Sequence, residues 1–242
     1  MRPTAHNVPT MFDRLKERLS LAGKPASTGP SLAQRLPDYP PYQAPHVGWG
    51  KGISVAAAHE NLAYFRAVLP QRLAHVGALV MTDAGIDIAP ALAAPRELGP
   101  DLATQLNAWA GRRWPALHEA RLGNTGAWLD SPRQGPDIVW SMVMDVAIVL
   151  GELICRANTD WRWDLDLSAE NLKDKMASAR RVVLLADAVG TMPWPFVDDV
   201  EGAVARRLIQ IDRANDRVTH MDPWRRLVDE GQRGVAMEAW RS

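Results

Sequence analysis

Between Ile138 and Ile154 the chain runs for about 17 residues with only Asp145 and Glu152 charged, short of the ~20 apolar residues a bilayer span needs. A helix that is apolar nearly all round cannot lie on a surface; other elements have to enclose it. This constrains the rest of the chain. Amphipathic helices must pack around a buried helix at 138–157, with Asp137 placed to cap its N-terminus.

Partners for that helix are written into the sequence. Leu62, Phe65, Leu69, Leu73, Val76 and Val80 recur by three and four, which is one helical stripe. Pro70 interrupts it, so the helix either kinks there or yields to a second one, and Gly85 ends it. Leu102, Leu106 and Trp109 predict a helix over 101–114 after a connector at 90–100. Val197, Val200, Val204, Leu208 and Ile211 predict another over 197–211. Its acids Asp198, Asp199 and Glu201 lie in the first turn and Arg206 and Arg207 near the end, matching the helix dipole. Asp222-Pro223 opens a last helix that Gly231 stops. One segment has a different period: Trp161, Trp163, Leu165 and Leu167 alternate with Arg162, Asp164 and Asp166, as in a half-buried strand. A second short strand reads at 181–186. The fold class is therefore mainly α with a small antiparallel β element (α+β), the helices packed around the central one at 138–157; a purely α fold is the alternative.

Residues 1–52 have another character. Phe12, Leu15 and Leu19 predict a short helix over 11–21, and 24–52 is rich in proline and glycine yet carries Tyr39, Tyr42 and Trp49. Free linkers seldom hold aromatics, so this stretch is expected to wrap over something. The organisation expected is a Pro-rich arm at 1–52 and a single mostly helical domain at 53–242.

Charge narrows the function classes. Lys plus Arg equals Asp plus Glu, 28 against 28, which argues against a nucleic-acid partner bound by phosphate neutralisation. The single cysteine, Cys155, sits in an apolar run and reads as a small core residue. No apolar stretch follows Met1–Asn7 as a leader would require, so a reducing, cytoplasmic setting without a membrane partner is the expectation. Ten tryptophans against three phenylalanines and three tyrosines is a skew. Most should be core, each asking for an acceptor for its N–H, but tryptophan is also the residue of interface hot spots. Trp49, Trp128 and Trp194, in the arm and in turns, are the candidate partner-binding residues.

Chemistry, if there is any, centres on Asp145 and Glu152. Their spacing puts both on nearly one helix face with Ser141, about 10 Å apart along the axis at ~1.5 Å per residue. In an open cleft they would be an acid/base pair or a metal-binding face. In a closed core Glu152 would pair with Arg156 at i+4, and Asp145 would accept from a tryptophan, a backbone N–H or a basic side chain. The histidines at 6, 46, 59, 75, 118 and 220 form no metal spacing, and Asp160, Asp164 and Asp166 lack the glycine and glutamate of a calcium loop. The alternation turns Asp164 and Asp166 to solvent. No nucleotide-binding loop or serine elbow occurs, so no cofactor and no metal is expected. The dibasic pairs Arg112-Arg113, Arg180-Arg181, Arg206-Arg207 and Arg225-Arg226 are scattered and would make an anion patch only if folding gathered them.

The pattern Asp145…Gly151-Glu152 followed by Trp161 and Trp163, with Pro195-Phe196-Val197 leading into a helix, resembles uncharacterised bacterial domains over about residues 137–211. Some of these look like accessory or immunity proteins of toxin systems. The resemblance implies a non-enzymatic protein-binding protein, an immunity or adaptor protein, whose partner is another protein or a second copy of the chain. The alternatives are a small hydrolase using Asp145 and Glu152, and a structural subunit of a homo-oligomer.

Overall fold

One turn of helix, α1 (Leu32–Arg35), opens the described chain, and the 30-residue α2 (Val55–Ala84) follows. The structure, a computed structural model, describes residues 30–187, 195–211 and 222–233. The helix expected over 11–21 lies outside them, as does Trp194. Ser54 caps α2, its Oγ accepting from the Ala57 N–H at 3.1 Å. Gly85 ends it in the left-handed region at φ 67°, donating to the Met81 carbonyl at 2.8 Å. Pro70 does not divide the helix. It and Arg66, whose carbonyl loses its donor, are both exposed, so water can replace the missing bond.

The stretch expected as a connector at 90–100 is helical. It forms α3 (Ala89–Ala93) and the start of α4 (Pro95–Arg113), where Pro95 takes the first position, whose N–H would be unused anyway. A short α5 (Thr125–Leu129) precedes the central α6 (Val139–Ala157). Every residue of α6 except Cys155 and Arg156 is buried. By length and composition the span Gly135–Ala157 could cross a membrane, but 94% of its apolar window is buried within the fold. Packing against α2, α4, α8 and α9 provides that burial. Each large apolar side chain so enclosed contributes roughly 1.5–3 kcal/mol. Asp137 does not cap α6; Ile138 stands at that position, and the Asp137 carboxylate pairs with Arg121 instead.

Beyond α6 come β1 (Trp161–Leu165), α7 (Ala169–Lys173), β2 (Val182–Ala186), β3 (Phe196–Asp198), α8 (Val200–Ile209) and α9 (Pro223–Arg233). The strands form one antiparallel sheet in the order β1-β2-β3, with Trp163 opposite Leu184 and Leu185 opposite Val197. The fold is thus mainly α with a small antiparallel sheet. The Trp163 ring lies on α6 at Gly151, where a Cβ would come within 2.1 Å of it. The alternation stops at Leu165. Asp166, expected to face solvent, is 1% exposed, and Leu167, expected inward, is 47% exposed. There the chain leaves the sheet, and the Asp166 carboxylate accepts from the Ser168 N–H, Asn171 Nδ2 and Ser178 Oγ at 3.1, 2.9 and 2.6 Å.

The compact unit that contains all these elements begins at Ser31 rather than at 53. Leu32, Leu36, Tyr39 and Tyr42 are buried in the same core as α6.

Candidate functional site

The polar groups of α6 share one face, and each holds a different segment against the helix. Ser141 Oγ donates to the Arg133 carbonyl and accepts from the Tyr42 N–H, both at 2.7 Å. Asp145 is fully buried. Arg72 of α2 grips it side-on, Nε to Oδ1 at 2.7 Å and Nη2 to Oδ2 at 2.6 Å, while the Tyr39 hydroxyl donates to Oδ2 at 2.5 Å. The same guanidinium donates to the carbonyls of Pro40 and Pro41 at 2.9 and 3.2 Å. Glu152 accepts from Trp163 Nε1 and from Arg156 Nε, both at 3.0 Å. Asp145 and Glu152, the candidate catalytic pair, therefore do not meet in an open cleft. Each is committed to protein donors, one toward α2 and the arm, the other toward β1.

Burial sets the charges of this stripe. It pushes the Asp145 carboxyl up to about 6, against the opposing pull of Arg72 and Tyr39. Burial and the adjacent Asp145 drive the Tyr39 phenol well above its ordinary value, and burial pushes the Cys155 thiol up to about 12. Neither group is an available nucleophile or base at neutral pH.

A concave site lies beside this stripe. A cavity of about 230 Å³ opens between residues 42–48, the loop 131–134 and the entry to β2 at 180–182. Arg133, Arg180 and Arg181 all line it, with Glu201 as the acid among its lining residues. Glu201, on α8, bridges two of the arginines: Arg133 Nη2 at 2.6 Å and Arg181 Nη2 at 2.5 Å. Its burial alone would raise the carboxyl, but these guanidiniums and the Trp128 indole N–H hold it below its ordinary value. Arg181 also reaches Asp199 at 3.0 Å and stacks over Trp128, 4.4 Å from the ring centroid. A second cavity, about 300 Å³, is lined by Trp49, Lys51, Asp130, Leu172 and Lys175 among others. The two are lined by neighbouring stretches of chain, Gly48 and Trp49, and likewise Ser131 and Asp130, lining one each.

Strain collects at these cavities. Among the described residues the non-glycine positions in the left-handed region are Arg133, Lys175 and Arg180, at φ 57°, 56° and 58°, and all three line one cavity or the other. Such conformations cost about 1–3 kcal/mol each and persist where the surroundings over-determine them. At Arg133 those surroundings are Ser131 Oγ, which accepts from its N–H at 2.9 Å, and Ser141, which binds its carbonyl.

Of the tryptophans singled out, Trp49 is half-buried on the second cavity. Trp128 is not a surface residue; it is 3% exposed and spends its N–H on Glu201 at 2.8 Å. Trp109 and Trp161 likewise find acceptors, Asp83 at 2.8 Å and the Gly231 carbonyl at 3.0 Å, whereas the buried Trp114, Trp140 and Trp224 have none among the described residues. Arg133 carried no distinguishing signal in the sequence, Glu201 read only as a first-turn acid, and Tyr39 only as an aromatic of the arm. Arg180-Arg181 stood out as a dibasic pair, and folding brings it together with Arg133. Among the described residues no three His, Cys, Asp or Glu side chains gather as a metal set. Comparison of the chain with protein-family models, with curated proteins and with solved structures gives no match.

Proposed function

We propose that the chain is a non-enzymatic protein-binding protein, of the immunity or adaptor kind, that holds its partner in the arginine-lined groove beside Trp49. One observation carries the reading: the carboxylates that would run a hydrolysis are locked to Arg72, Tyr39, Trp163 and Arg156, while the concave surface nearby is charged, strained and rigidly walled. A preformed groove lowers the ordering cost of binding, and a half-buried indole at its edge offers an anchor for an apolar residue.

The test is affinity capture of the tagged full chain from its native cell extract, run in parallel with Trp49→Ala and Arg180→Gln. A single partner at fixed ratio, lost from both variants while their circular dichroism is unchanged, supports the reading. Retention of that partner by both variants places the interface elsewhere. Recovery of the chain with itself alone, at an integral stoichiometry, replaces the reading with a homo-oligomeric subunit.

A further inference from the structure

We infer that the cavity walled by residues 42–48, 131–134 and 180–182 is a carboxylate-binding site, with Arg180 as the residue that seats the ligand. The inference deepens the proposed binding role, because it names the chemical group the groove takes from a partner.

Three guanidiniums line the cavity, and they are not equivalent. Arg133 and Arg181 are committed, sharing Glu201 between them, with Arg181 also holding Asp199. Arg180 has no carboxylate partner among the described residues. Its Nη1 donates to the Ile53 carbonyl at 2.5 Å, and among the described residues the edge formed by Nε and Nη2 has no acceptor. The same molecule shows what that edge does. Arg72 uses Nε and Nη2 to grip Asp145 while its Nη1 is held by the Pro41 carbonyl. Arg180 repeats this arrangement with its Nη1 tied back and the carboxylate place open. Side-on pairing with two parallel N–H···O bonds is the geometry in which guanidinium and carboxylate match best.

The cavity carries a positive excess that draws an anion: Arg133, Arg180 and Arg181 line it against Glu201, and Asp199, outside the lining, takes a further share of Arg181. The Arg72–Asp145 pair in the same molecule makes a carboxylate the anion that fits a side-on guanidinium edge of this kind. The left-handed backbone at Arg180 is fixed by its N–H, which donates to the Asp166 carbonyl at 2.7 Å, and the preceding Ala179 carbonyl is held by the Gly50 N–H at 2.8 Å. The guanidinium therefore projects from a rigid turn, and little side-chain and backbone ordering remains to oppose binding.

The experiment follows the backbone amide resonances of the cavity-lining residues Gly48, Arg181 and Val182, together with the Arg180 Nε–H in the wild type, in the full-length chain by ¹⁵N NMR during titration with succinate, with a hexaglutamate peptide and with inorganic phosphate, at ionic strength held constant with chloride. A saturable shift with succinate or with hexaglutamate, weakened about tenfold in Arg180→Lys, supports the site, since lysine keeps the charge and loses the fork. Binding of hexaglutamate alone places the carboxylate on a partner chain. Binding of succinate alone keeps the carboxylate site but withdraws a protein partner from this groove. Phosphate binding as tightly as either carboxylate overturns the choice of ligand, and no saturable shift with any probe overturns the site. Arg180→Lys is checked by its thermal midpoint, and Arg180→Gln serves as a second variant that must lose binding to the same degree or more. A partner captured equally well by wild type and Arg180→Gln refutes the inference and leaves the binding role standing.

Discussion

Replacing Arg72 by methionine removes the cation from a buried pair and leaves Asp145 to the Tyr39 hydroxyl alone. Both side chains of the pair are enclosed, at 4% and 0% exposure, so no solvent screens the loss. Breaking such a pair costs about 3–5 kcal/mol. In a chain of this size that corresponds to a fall of roughly 6–20 °C in Tm. The pH dependence identifies the cause. Asp145 already titrates at about 6, pushed up by burial against the pull of Arg72 and Tyr39. A folded value above the ordinary one means that this group's stabilisation is fully present below the ordinary carboxylate range and is lost as pH rises through about 6. Without Arg72 the carboxyl must titrate higher still. The variant then recovers stability over a window above pH 6 in which the wild type does not change, so its deficit narrows as pH falls. Urea unfolding at several pH values measures this directly. The double variant Arg72→Met, Asp145→Leu should regain much of the loss, because an apolar pair carries no desolvation penalty. A deficit below about 1 kcal/mol, the range of a surface pair, or one that grows on acidification, would refute the reasoning.

Gly151→Ala drives a Cβ to 2.1 Å from the Trp163 ring, which is held by Glu152 and packed on Phe65 with centroids 4.9 Å apart. Overpacking of about 1–3 kcal/mol plus a weakened buried hydrogen bond exceeds the ~1 kcal/mol gain in helix propensity, so denaturant melting should show a net loss. Gly77→Ala meets only the flexible end of Ile88 at 3.1 Å and should be near neutral or stabilising. Glu201, held below its ordinary value, stabilises the fold above the ordinary carboxylate range and loses that contribution as pH falls through its folded value; Glu201→Gln should flatten the acid limb of the stability curve. Cys155, half-buried with its thiol pushed up to about 12, should react slowly with iodoacetamide at neutral pH until the chain is unfolded; rapid labelling of the native protein would contradict the raised thiol.

The elements that sequence reading places well are those fixed by one strong periodicity. The stripe from Leu62 to Val80 is a helix because its apolar spacing outweighs Pro70, whose missing bond falls on the exposed side. Trp161, Trp163 and Leu165 alternate inward as a half-buried strand requires, and the pattern fails at Asp166 because a buried carboxylate organising a turn looks, in sequence, like a solvated one. Glu152 pairs with Arg156 as i,i+4 spacing predicts, since that contact is local. The partners of Asp145 are not local. Tyr39 and Arg72 lie 106 and 73 positions away, and only the packing of the arm and α2 on α6 brings them in. The groove is less legible again: Arg133, Arg180 and Glu201 come from three segments, and only Arg180, as half of a dibasic pair, pointed toward an anion.

The link between the two layers is Ser141. One buried hydroxyl holds the Tyr42 N–H of one groove wall and the Arg133 carbonyl of the other, so α6 helps set both walls, which also meet directly through Gln43 Nε2 and Gln134 Oε1 at 2.8 Å. Ser141→Ala leaves both backbone groups without that partner, at about 1–3 kcal/mol for each buried group left unsatisfied. The damage should be uneven. Arg133 loses one of the contacts that hold it at φ 57° and can relax toward an ordinary conformation, taking its guanidinium from Glu201 and altering the charge of the cavity. Helices α2 and α6, packed through their apolar faces, keep their contacts. Amide hydrogen exchange reads the difference: Tyr42 should lose protection in Ser141→Ala while amides of the α6 interior retain theirs. Equal protection of Tyr42 in both proteins would mean that the groove walls stand without α6, and the central helix would then be a core element with no part in shaping the site.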